Sequence, residues 1–85
     1  MAKTIRSSGH KALCEALIAA RRAVGLTQAE LAFKLNCHQS FVARLESGER
    51  RIDVVELVVL ARALSTDAED IVKLVDGATE QDHRI

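Results

Sequence analysis

The sequence predicts an all-α fold, a single small domain of five helices. Three observations carry that expectation. The chain has no proline and only four glycines in its 85 residues, too few turn-formers for a β-sandwich of this size. Hydrophobic residues make up 48% of it and aromatics 2%, so it can fold, and its core must be aliphatic. Apolar residues recur at three- and four-residue spacing, and helix start signals stand between the periodic stretches. A chain this short holds one domain.

The first helix is expected over His10–Val24, with Leu13, Leu17, Ala20 and Val24 on one side. Gly25 follows where a helix commonly stops in a left-handed residue. The run Leu26-Thr27-Gln28-Ala29-Glu30-Leu31 then supplies two start signals. Thr27 and Glu30 form a capping box, and Leu26 and Leu31 form a hydrophobic staple. This second helix turns Leu31, Ala32 and Leu35 inward and ends at Asn36, a residue that tolerates positive φ. A third, short helix has Val42 and Leu45 three apart, with Phe41 beside them, and Gly48 closes it.

After the polar Glu49-Arg50-Arg51, the segment Ile52-Asp53-Val54-Val55-Glu56-Leu57 repeats the box and staple, with Asp53 as cap. The β-branched run Val54–Leu64 could be read as a buried strand. Its length and its double start signal favour a helix. Asp67 and Asp70 offer a weaker cap for a last helix through about Val75. The expected organisation is an N-terminal arm over 1–9, a domain over 10–76 and a polar tail over 77–85.

Twelve basic and twelve acidic residues cancel, yet they are unevenly placed. Residues 1–25 carry five positive charges against the single Glu15, whereas residues 53–85 carry three positive against eight negative. A neutral total can therefore present a positive face and an acidic back. No uncharged run is long and apolar enough for a membrane helix, and Lys3 and Arg6 precede no apolar stretch of a secretory leader. Cys14 and Cys37 form no paired motif, so free thiols in a reducing cytoplasm are expected.

Gln28–Ser47 is thus a helix, a tight turn and a second helix. Two helices joined so abruptly cross steeply and touch near the turn. That geometry needs a small residue at the approach (Ala32), a residue tolerant of positive φ in the turn (Asn36), and an apolar lock at Leu31, Leu35, Cys37, Val42 and Leu45. In these residues, densest over Leu26–Ala32 and Leu45–Gly48, the chain resembles the lambda-repressor/Cro-like, or XRE, helix-turn-helix family. The likeness runs from about His10 to Val75.

The resemblance implies double-stranded DNA as partner, with the second helix of the motif in the major groove. Carried over by position, it implies base contacts from Gln39, Ser40 and Arg44, the last reaching a base or a phosphate. It implies contacts to the DNA backbone from Gln28, His38, Ser47, Arg50 and Arg51. Two positions depart from the family pattern. Asn36 stands where glycine is common, and His38 stands where serine or threonine usually caps the recognition helix. Either His38 touches a phosphate itself or that helix end is less rigid.

The expected role is a cytoplasmic transcriptional regulator of bacterial or phage type, a repressor or autoregulator, acting as a homodimer on a palindromic operator. Ile71, Leu74 and Val75 of the last helix are the candidate dimer residues. Phe41 can meet thymine methyls or the sugar backbone, or else fill the edge of the core. The competing class is a protein-binding module on the same scaffold, an antitoxin or anti-activator that sequesters another regulatory protein. No enzyme is expected, since the sequence offers no triad or carboxylate pair. No cofactor or metal is expected either, because Cys37 and His38 lack a third ligand.

Overall fold

The computed structural model describes residues 4–85. Five helices follow one another: α1 (Ser8–Ala23), α2 (Gln28–Leu35), α3 (Gln39–Ser47), α4 (Val54–Ala63) and α5 (Ala68–Ala78), with no strand among the described residues. The start signals form as the sequence predicts. Thr27 Oγ1 accepts from the Glu30 amide at 3.0 Å, and Glu30 returns a carboxylate oxygen to the Thr27 amide at 2.8 Å. Asp53 and Glu56 repeat this at 2.7 and 3.0 Å. Each box satisfies two amides that a helix start otherwise leaves without partners.

The ends of α1, α2, α3 and α4 share one device. Gly25, Asn36, Gly48 and Ser65 all take left-handed backbone, with φ of 76°, 57°, 86° and 55°. After each, the next amide reaches back five residues, from Leu26 to Arg21, Cys37 to Ala32, Glu49 to Arg44 and Thr66 to Ala61. These are Schellman closures, which satisfy orphan carbonyls and turn the chain sharply. Ser65 has no sequence signal of the kind glycine or asparagine provides.

Two boundaries differ from expectation. Helix α1 begins at Ser8, because the Ser7 hydroxyl accepts from the His10 amide at 3.2 Å and so caps it two residues early. Ser8 and Gly9 therefore belong to the helix and not to an arm over 1–9. Helix α5 runs on through Gly77 to Ala78, past the expected end near Val75. The reason is tertiary. Helix α1 packs most extensively on α5, and buried Gly9 lies so close to the Thr79 side chain that a Cβ there would collide with it.

The core gathers Leu17, Leu31, Ala32, Val42, Leu45, Leu57, Leu60, Ala61, Leu64 and Ile71. Burying each large aliphatic side chain contributes about 1.5–3 kcal/mol. Of the expected inner stripe of α1, Leu17 is buried, Leu13 and Ala20 pack against the core, and Val24 is exposed at the helix end. Ile71, expected at a dimer surface, is 3% exposed and belongs to the core, because α5 packs on α1 and α4. Val75 also packs against the core, while Leu74 remains 59% exposed.

Candidate nucleic-acid interface

The α2–α3 pair meets across Leu31, Ala32, Val42 and Leu45, all buried. Ala32 lets the backbones approach, and left-handed Asn36 makes the turn between them. One polar residue joins this inner face. Glu46 stands at the next inward position after Val42 and Leu45 and is 8% exposed. Arg21 of α1 grips it through Nε at 2.7 Å and Nη2 at 3.1 Å. Gln28 Nε2, in the first turn of α2, donates to Glu46 Oε1 at 2.9 Å. Arg21 Nη1 also donates to the Leu26 carbonyl at 2.8 Å.

A single carboxylate thus ties the end of α1, the start of α2 and α3 together. The bidentate guanidinium fork fixes orientation as well as distance. Arg21 and Glu46 were not singled out by the sequence, because partners 25 positions apart leave no local pattern. A signal existed nonetheless. Glu46 falls four residues after Val42 and Arg21 four after Leu17, so both are charges on apolar faces.

On the opposite side of α3, His38, Gln39, Ser40 and Arg44 are exposed. Ser40 and Arg44 are one turn apart and share a stripe. Gln39 is offset from Arg44 by about 140° around the axis and about 7.5 Å along it. His38 occupies the cap position with extended backbone and makes no side-chain cap bond, while the Phe41 amide bonds the His38 carbonyl at 3.0 Å, so the Gln39 and Ser40 amides at the start of α3 gain no cap. Arg51 is exposed in the following loop. The α2–α3 unit and this loop hold Gln28, His38, Gln39, Ser40, Arg44, Ser47 and Arg51.

Three expected backbone contacts are otherwise engaged, the first being Gln28, whose Nε2 is bonded to Glu46. The Ser47 hydroxyl lies 3.1 Å from the Arg44 carbonyl and 2.7 Å from Glu49 Oε2, so its proton is held locally. Arg50 does not project outward as a phosphate contact requires. Its guanidinium lies 4.5 Å over the Phe41 ring, and Nη2 donates to Glu56 Oε2 at 3.1 Å. Phe41 therefore fills the edge of the core beneath Arg50. The amide of Asp53 first, and then Arg50, hold the Glu56 carboxyl below the ordinary glutamate range.

The thiols have structural roles. Cys14 Sγ donates to the Leu45 carbonyl at 3.3 Å, and burial first, then Glu15 and Glu46, pushes its pKa up. Burial also raises that of Cys37. Both remain protonated thiols at neutral pH, poor nucleophiles and poor metal ligands. Among the described residues no three or more His, Cys, Asp or Glu side chains gather as a metal site would require. No helix among them is long and apolar enough to cross a membrane.

Comparisons with known proteins agree with this geometry. A helix-turn-helix family profile matches residues 17–71. An XRE-family like protein from Pseudomonas syringae pv. tomato shares the fold with a TM-score of 0.78 and 39% identity, over 91% of this chain and 94% of that one. The clp gene regulator ClgR from C. glutamicum shares it with a TM-score of 0.74 and 25% identity, over 86% and 95%. No curated protein sequence matches significantly. The chain belongs to the XRE-type helix-turn-helix family, and its fold is that of a DNA-binding transcriptional regulator.

Proposed function

We propose that the protein is a sequence-specific repressor or autoregulator that binds a palindromic operator as a homodimer. One observation carries this reading. Gln39, Ser40 and Arg44 stand in solvent on a helix whose other face is locked by Val42, Leu45 and Glu46. Side chains so placed serve no packing need. A glutamine can pair bidentately with adenine and an arginine with guanine. Helix α3, nine residues long, fits a groove about 12 Å wide. His38 and Arg51 stand beside it as candidate contacts to the sugar-phosphate backbone, and Gln28 and the Ser47 hydroxyl join them if they share or exchange their bonds to Glu46 and Glu49 for a phosphate.

One such helix reads only a few base pairs, so useful specificity calls for two copies. Exposed apolar residues suited to that contact are Leu74 and Val72 on α5 and Val54, Val55 and Val59 on α4. Selection of purified protein against a random duplex library tests the reading. Enrichment of a palindrome is the expected result. A single unrepeated half-site would remove the dimer. No enrichment would point to the protein-binding module instead.

A further inference from the structure

We propose that Arg50 is a positioning residue, a brace that holds the recognition helix at its working angle and does not ligate phosphate. The proposal rests on the DNA-binding reading above. Helix α3 packs on α2 and α1, but its backbone makes little direct approach to α4. Between the α2–α3 unit and α4 lies a groove of about 180 Å³ lined by Leu35, Cys37, Phe41, Val55, Val59 and Leu60, with Glu56 as its charged member. Apolar packing alone leaves this side of the recognition helix incompletely supported, since unfilled space forfeits contacts on one side.

Arg50 spans the gap. One face of its guanidinium covers the Phe41 ring at 4.5 Å, and Nη2 bonds Glu56 Oε2 at 3.1 Å. Glu56 is itself anchored at the helix start, because its Oε1 accepts from the Asp53 amide at 3.0 Å while its own amide donates to Asp53 Oδ1 at 2.7 Å. A continuous path therefore runs from the first turn of α4, through the guanidinium, to the first turn of α3. Phe41 directly follows Gln39 and Ser40 in that turn, so a shift of the ring moves both candidate base contacts.

The chemistry requires arginine. A guanidinium offers a flat face for stacking and an in-plane donor for the carboxylate, whereas an ammonium cannot do both at once. Reaching a phosphate would require breaking the stack and the ion pair together.

The test uses the duplex recovered by selection and a random-sequence duplex, with affinity measured across a salt series. Arg50→Ala is expected to weaken the selected duplex about tenfold and to flatten preference at several positions of each half-site. Random-duplex affinity and the salt slope should stay at wild-type values. Arg50→Lys should behave like Arg50→Ala, because retaining the charge does not restore the stack. Glu56→Gln preserves the capping box and removes the ion pair, and adding it to Arg50→Ala should cost nothing more.

Phe41→Leu keeps the apolar body and should reproduce the lost preference, with thermal melts confirming that each variant folds. Arg51→Ala serves as the phosphate control, lowering the slope by about one. The proposal is overturned if Arg50→Ala lowers the slope by about one and weakens both duplexes equally, or if Arg50→Lys restores wild-type binding. Additive losses from Arg50→Ala and Glu56→Gln overturn it too. A wild-type protein that binds neither duplex would overturn the DNA-binding reading itself, and the brace with it.

Discussion

Helices α2 and α3 are neighbours of eight and nine residues, and they begin in opposite ways. The first turn of α2 is closed by a reciprocal capping box, and the Gln28 side chain is bonded to Glu46. The first turn of α3 has His38 at its cap, no side-chain bond to its amides, and three successive exposed residues. The buried side of α3 is held by Val42 at its middle and by Leu45 and Glu46 in its last turn. Polar bonds therefore secure α2 at its first turn and α3 near its end at Glu46, while the first turn of α3 rests on Phe41 beneath Arg50. A helix start whose amides lack a side-chain cap suits an anion, under the DNA-binding reading proposed above.

The largest effect should come from breaking what holds α3 at its far end. Glu46→Ala leaves the Arg21 guanidinium buried without its carboxylate and Gln28 without its acceptor. Removing one partner of a buried pair costs about 3–5 kcal/mol, a large fraction of the stability of a small domain. Denaturant unfolding should show this loss in full. If Glu46→Ala unfolds at the wild-type midpoint, the network is not what fixes the motif.

Next in size is the exposed face. Gln39→Ala should cost about 1–3 kcal/mol on the selected operator and relax preference at one position per half-site. Arg44→Ala should cost as much, relaxing a different position only if it reads guanine. Neither side chain packs in the core, so unfolding midpoints should stay unchanged. Binding to a panel of single-base operator variants decides the matter. An unchanged panel for Gln39→Ala would transfer the exposed face from DNA to a protein partner.

Comparing the two starts also shows what the sequence could reveal. The boxes at Thr27–Glu30 and Asp53–Glu56, the left-handed Asn36 and the stop at Gly48 were legible because each is decided within a few residues by local hydrogen bonds and backbone sterics. The exposed Gln39, Ser40 and Arg44 were legible for the same reason, once the helix register was set by Val42 and Leu45. What escaped was tertiary. The Arg21–Glu46 pair, the inward turn of Arg50 onto Phe41 and Glu56, and the burial of Ile71 depend on which elements come together, and no periodicity encodes that. The start of α1 at Ser8 is intermediate, a local serine cap whose helix is then fixed by Gly9 packing against Thr79.

The caps themselves give a direct test of the opposition between α2 and α3. Thr27→Ala removes a formed cap bond and should cost about 1 kcal/mol. His38→Ala removes none and should leave stability within about 0.5 kcal/mol. His38→Ser should stabilise the isolated domain by about 0.5–1 kcal/mol by supplying the missing acceptor. Thermal unfolding of the three variants side by side checks the order. Equal losses from Thr27→Ala and His38→Ala would erase the distinction between a closed and an open helix start.

The smallest expected effect is a pH dependence confined to one carboxyl. Glu56 titrates below its ordinary range because it accepts from the Asp53 amide and from Arg50. A group whose folded-state pKa is depressed contributes stability that is fully present above its unfolded value and is lost as pH falls through the folded one. The unfolded value is about 4.3 for glutamate, so the loss lies below that pH. Glu56 is partly exposed, with its side chain 30% accessible, and solvent screening keeps the contribution modest. Glu56→Gln keeps the capping bond and cannot titrate. The difference in unfolding free energy between wild type and Glu56→Gln should therefore be constant from neutral pH down to about 5 and shrink below about 4.3. A difference that stays flat through the acid range would show that the carboxylate charge is not what ties α4 to Arg50.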